Sequence, residues 1–167
     1  YEGLYRLLYN VTAVITTAPL PLLLLIVPGR VLWRIEVAAA LPLLALQAVG
    51  IGGFLVALLQ VDQGRFLGLS QLRAYLRGEP LPLPPEPLQQ SGMYRLVRHP
   101  LYLFSLLVMW PMPFMTDTLL AFNIAATAYF IIGSRLEEKR LLAAFGQAYA
   151  DYRQRVPWLV PFTRGGG

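Results

Sequence analysis

The sequence predicts an all-α fold, a polytopic membrane helical bundle of about four transmembrane passes with a cytoplasmic C-terminal helix. Three observations lead there. Hydrophobic residues make up 56% of the 167 residues and charged ones only 14%, too apolar a balance for a soluble domain of this length. The mean hydropathy is positive, +0.53, and the charges gather between windows near the roughly 20 apolar residues that span a bilayer. The basic residues, finally, fall unequally on alternate ends of those windows.

The first span is expected from about Leu4 to Val27, broken or kinked at Pro19 and Pro21. It has no small-residue cleavage site and is read as a span, not as a signal peptide. The second runs from about Ile35 to Val61, with Pro42 in its first turns and Gly50, Gly52 and Gly53 offering a small-residue face for close helix contact. From Asp62 to Arg98 the character changes to a cytoplasmic loop, in which "EPLPLPPEP" (79–87) is a proline-rich connector that cannot be helix. Two shorter apolar runs follow His99 and form a helical hairpin turning near Pro113 to Asp117. The charged stretch from Arg135 then reads as an amphipathic helix ending before Val156-Pro157. The segments are thus 1–61, 62–98 and 99–164 of one integral domain, and the closing glycines are set aside as a frayed tail.

Four passes place Arg6, the loop arginines Arg65, Arg73, Arg77, Arg95 and Arg98, and every Lys and Arg from Arg135 onward on one side, with Arg30 and Arg34 opposite. By the positive-inside rule that side is cytoplasmic, as are both termini. The net charge of +5 then reflects helix ends and contacts with lipid phosphates, and no nucleic acid is expected as a partner. The chain has no cysteine and one histidine, which excludes disulfides and thiolate nucleophiles and makes a classical zinc site improbable.

Four pieces converge on the cytoplasmic face: Gly92 and Tyr94; Arg98-His99-Pro100-Leu101-Tyr102; Glu137-Glu138; and Phe145-Gly146 with Tyr149, Tyr152, Arg153 and Arg155. A hairpin that leaves the face at His99 and returns near Arg135 brings the second and third together. Adjacent glutamates point about 100° apart, so one faces the pocket while the other pairs with an arginine such as Arg98 or Arg135. Singly, each piece has a plainer use. The arginines suit lipid phosphates, His99 suits an N-cap ahead of Pro100, the glutamates suit a solvated helix face, and the tyrosines and the three tryptophans suit an interfacial belt or packing.

In combination, "RHPLY" followed after one hairpin by "EEKRLLAAFGQAYADYRQRVP" resembles the integral membrane methyltransferase superfamily of isoprenylcysteine carboxyl methyltransferases, phospholipid methyltransferases and bacterial thiol methyltransferases. The resemblance covers residues 88 to 161. "DQGRFLGLSQL" and "WPMPFMTD" are more similar to the bacterial branch with methanethiol S-methyltransferases and NnrU-like proteins, whose members often carry a further span upstream. The resemblance implies an S-adenosylmethionine-dependent methyltransferase of the bacterial inner membrane, its cofactor site cytoplasmic and its acceptor a small or lipophilic thiol, carboxylate or amine. It implies a cofactor pocket of Gly92, Tyr94, Val97, His99, Tyr102, Glu137, Tyr149 and Tyr152, with Arg98 and Glu138 holding and orienting the acceptor, and no metal. A sulfonium with an amino-acid head suits a glutamate and tyrosines. In-line methyl transfer needs positioning more than proton transfer, so His99 is expected to be a hydrogen-bond donor to the cofactor rather than a base. The competing readings are an NADPH-dependent membrane reductase of the sterol reductase type and a non-catalytic membrane subunit.

Overall fold

The computed structural model describes residues 2–17, 26–27, 29–84 and 86–163. In chain order these form α1 (Glu2–Thr17), β1 (Val31–Arg34), α2 (Val37–Leu59), α3 (Gln63–Leu67), α4 (Leu69–Leu76), a 3-10 turn (Gly92–Arg95), α5 (Pro100–Met109), β2 (Phe114–Thr116), α6 (Asp117–Phe145) and α7 (Gln147–Arg155). The breaks expected at Pro19 and Pro21, and the closing glycines, lie outside the described residues. The chain divides into two compact units, one of residues 1–28 and 61–87 and the other of 29–60 and 88–167.

In the first unit, the segment expected as loop carries two helices. Asp62 caps α3 by accepting from the Arg65 amide at 2.9 Å, and Gly68, at φ 84°, supplies the left-handed residue that ends α3 and starts α4. Asn10 on α1 donates to the Phe66 carbonyl at 2.8 Å. Beyond α4 the prolines keep the connector out of helix, as the sequence requires.

The second unit holds the two helices among the described residues that are long and apolar enough to cross a membrane, α2 and α6. On α2, Gly50, Gly53 and Ala57 are buried. A Cβ on Gly53 would collide with the Phe104 ring and one on Gly50 would press on the backbone of Leu107 and Val108, whereas Gly52 meets nothing. Two of the three glycines therefore make the close contact with α5. With only ten residues, α5 is about 15 Å long, half the hydrocarbon thickness. Its free end is satisfied by side chains. Gln47 on α2 donates to Val108 O at 2.9 Å and Asn123 on α6 to Met109 O at 2.8 Å. Buried carbonyls within an apolar bundle need such partners, which explains the fully buried Asn123.

After Trp110 the chain leaves the helix through bends, Met112 N–H donating to Trp110 O at 2.8 Å, because Pro111 and Pro113 cannot continue it. It ends in β2, which pairs antiparallel with β1 (Val31↔Thr116, Trp33↔Met115, Arg34↔Phe114). This small ribbon departs from the all-helical expectation, and Ile35 N–H donating to Pro113 O at 2.8 Å and Arg30 N–H to Asp117 Oδ1 at 2.9 Å secure it. Thr116 caps α6 through the Leu119 amide at 3.1 Å. The expected separate helix from Arg135 is instead the continuation of α6. Nothing between Ser134 and Arg135 breaks a helix, and the break comes at Gly146, whose φ of 55° and ψ of −126° suit only glycine. After it, α7 ends as expected before Pro157, with Val156 extended.

Candidate active site

The 3-10 turn, the start of α5, the last third of α6 and α7 meet around one buried ion pair. Pro100 occupies the first position of α5 with His99 as its N-cap, which points Arg98 and His99 toward α6. The Arg98 side chain is fully buried and its Nε donates to Glu138 Oε1 at 2.6 Å. Its Nη1 donates to the carbonyls of Arg153 and Val156 at 2.8 and 3.0 Å, and its backbone N–H to Pro157 O at 2.9 Å. One guanidinium thus joins α6 to the C-terminal end of α7, where carbonyls lack helical partners and a cation is favoured. Arg153 Nε approaches the other Glu138 oxygen at 3.6 Å.

His99 lies between the two glutamates, Nδ1 at 3.5 Å from Glu137 Oε2 and Nε2 at 3.4 Å from Glu138 Oε1. Its ring stacks on Tyr102, 5.6 Å between centroids, and Tyr102 stacks on Phe130 at 5.1 Å. Burial lowers the pKa of His99, but the hydrogen bonds and charges of Glu137 and Glu138 outweigh it and the net shift is upward. Glu137 differs from its neighbour: its side chain is 49% exposed against 5% for Glu138, as expected of adjacent positions about 100° apart on a helix.

The tyrosines form the other wall. Tyr152 donates from its hydroxyl to Tyr94 O at 2.6 Å, fastening α7 to the 3-10 turn. Burial, then the charge of Glu137, pushes the Tyr94 phenol up to about 12, and burial raises Tyr149 and Tyr152 further. Tyr149 is buried against Tyr152 with its hydroxyl lacking a partner among the described residues. Val97 is fully buried in the same frame, and Gly92 takes a positive φ of 59°.

All ten residues singled out in the sequence therefore lie in one unit. Arg98, His99, Glu137, Glu138 and Tyr102 are joined by direct contacts, Tyr94 to Tyr152 and Tyr152 to Tyr149. Gly92 and Val97 shape the turn that leads to them. Sequence reasoning missed Gln60. It ends α2, accepts from the Met93 amide at 2.9 Å, and fills the space a Cβ on Gly92 would need. No local pattern ties a glutamine to a glycine 32 positions later. Trp158, read as belt or packing, lies under the Arg135 guanidinium at 4.1 Å from its ring centre.

A cofactor with an ammonium, a carboxylate and a sulfonium fits this donor set. The half-exposed Glu137 suits the ammonium, and the orphaned Tyr149 hydroxyl suits an acceptor atom.

Residues 73–148 match the family model described as phospholipid methyltransferase. The chain is 41% identical over 101 residues to methanethiol S-methyltransferase 2 of Bradyrhizobium diazoefficiens, covering 60% of this chain and 38% of the relative. It is 34% identical to methanethiol S-methyltransferase of Crocosphaera subtropica (80% and 52% covered) and 35% identical to that of Mycobacterium tuberculosis (79% and 54%). The chain thus spans about half the length of these relatives. No solved structure matches it. With the Arg-His-Pro and Glu-Glu segments inside the matched region and joined in space, the chain belongs to the integral membrane methyltransferase superfamily, on its bacterial, methanethiol S-methyltransferase-like side.

Proposed function

We propose that the protein is an S-adenosylmethionine-dependent membrane methyltransferase acting on a small thiol. The observation that carries the reading is the half-exposed Glu137 beside the buried His99–Glu138–Arg98 cluster, within the segment that matches the methyltransferase family. The names of the relatives support a thiol acceptor.

Bound S-adenosylmethionine would supply a methyl group made electrophilic by its positive sulfur. The chain's own residues bind and orient. Glu137 would hold the cofactor's ammonium, the Tyr149 hydroxyl would donate to one of the cofactor's acceptor atoms, and Gly92, Tyr94, Val97, His99, Tyr102 and Tyr152 complete the pocket. Arg98 and Glu138 set its geometry by fixing α7 against α6, so that the acceptor is oriented between them. Burial of this cluster excludes water, and methyl transfer from a sulfonium to an anion gains from a site that hydrates neither well. We place four passes in the membrane, with both termini and the site on the cytoplasmic side of a bacterial inner membrane, on the strength of the basic-residue asymmetry.

Isothermal titration of the detergent-solubilised protein with S-adenosylhomocysteine and with NADPH tests the reading. Binding of the first and not the second is expected; binding of NADPH alone, or of neither, overturns it. A reporter active only outside the membrane, fused after Phe162, should be silent.

A further inference from the structure

We infer that the acceptor reaches the site already ionised, as a thiolate, because both nitrogens of His99 are engaged by Glu137 and Glu138 and no side chain of the cluster is left to take a proton. This rests on the methyltransferase reading and narrows its substrate class.

The argument is geometric. His99 Nδ1 and Nε2 each face a carboxylate oxygen, at 3.5 and 3.4 Å. A neutral imidazole has one N–H and one lone pair, so one of the two faces would set a lone pair against a carboxylate. Only the imidazolium donates to both. The groups around it reinforce this. On its own helix Tyr102 offers a ring face. On α6 both glutamates are anionic partners. From α7, Arg153 meets Glu138 on its far oxygen, and Arg98 takes the near one. The upward shift of His99 agrees. An imidazolium at neutral pH cannot serve as a base.

The remaining groups serve no better. Glu138 is 5% exposed and held by two arginines. Tyr94, Tyr149 and Tyr152 stay protonated phenols, since burial raises all three. Glu137 is reached by solvent, but it is committed to His99 and the cofactor.

The balance is then simple. The thiol loses its proton to water before it enters. Its sulfur lone pair forms the new bond to the methyl carbon as the carbon–sulfonium bond breaks, and that electron pair stays on the departing thioether. The products are a methyl thioether and S-adenosylhomocysteine, with no proton left in the site. An alkylamine, protonated at neutral pH, has no lone pair to offer and finds no base here to free one.

Two measurements test this on the detergent-solubilised chain. Because the protein has one histidine, labelled-imidazole NMR without cofactor reports His99 unambiguously, and an imidazolium at pH 7 is expected. The second is the pH profile of kcat/KM with ethanethiol and with 2,2,2-trifluoroethanethiol, similar in size but the latter far more acidic. The profile should move to lower pH with the acidic thiol by the difference in the two thiols' own ionisation, and ethylamine should not be methylated. A neutral imidazole at pH 7 overturns the inference whatever the activity. So do coincident profiles for the two thiols, which would report a base on the enzyme. Absence of both S-adenosylhomocysteine binding and methylation overturns the underlying reading, and this inference with it.

Discussion

Glu138→Gln is the sharpest test of the frame. The substitution keeps volume and removes one charge, leaving the fully buried Arg98 side chain with two carbonyl acceptors, Arg153 O and Val156 O, and no anion at 2.6 Å. An amide NH₂ turned toward Arg98 would set donor against donor. Removing one partner of a buried pair costs about 3–5 kcal/mol, whereas an exposed pair contributes about 0.2–1 kcal/mol. Arg153, with a side chain 31% exposed, regains water on losing Glu138 and adds little. The expected loss is therefore about 3 kcal/mol, read by equilibrium unfolding of the detergent-solubilised protein. The apolar pair Arg98→Met with Glu138→Leu should recover part of it, because no charge is then stranded, but it forgoes two bonds to α7 worth about 1 kcal/mol each. A loss under about 1 kcal/mol in Glu138→Gln would refute the reasoning and return the pair to the class of hydrated surface contacts.

The neighbouring glutamate should behave differently. Glu137→Gln, at a half-exposed site, is expected to weaken S-adenosylhomocysteine binding about tenfold, the value of one charge-assisted contact, with the unfolding midpoint little changed; unaltered affinity would remove Glu137 from the pocket. Gln60→Leu takes away the acceptor of the Met93 amide, and hydrogen exchange at Met93 should accelerate selectively while α6 amides keep their protection; equal protection in both proteins would show that the turn needs no latch. The raised pKa of His99 also has a definite sign. Its contribution to stability is complete below the unfolded value of about 6.5 and is lost as pH rises through the higher folded value. Wild type should accordingly lose stability relative to His99→Asn over that interval, and a constant difference across it would contradict the ion-paired histidine.

Much of this protein was determined by the sequence alone. Burial of nonpolar surface in a bilayer depends on composition and run length, so α2 and α6 were legible as apolar windows. Pro100 and Pro157 set helix boundaries through local sterics, and the order Arg98-His99, Glu137-Glu138, Tyr149, Tyr152 was enough to mark residues that the fold brings together in the candidate site. Tertiary structure decided what depends on partners distant in the chain. Which glycines of α2 make the contact was settled by the Phe104 ring and the Val108 backbone, not by their spacing. The brevity of α5 rests on Gln47 and Asn123 reaching its last carbonyls, bonds that relieve the cost of ending a helix in an apolar setting. The run from Arg135 reads as a new helix because its polarity changes, yet backbone hydrogen bonding is indifferent to that change and continues to Gly146. The two adjacent glutamates carry the same chemistry in the sequence. Only the direction each takes from α6, one into the guanidinium of Arg98 and one toward solvent, gives them different work, because burial decides whether a carboxylate's charge holds the fold or is free to meet a ligand.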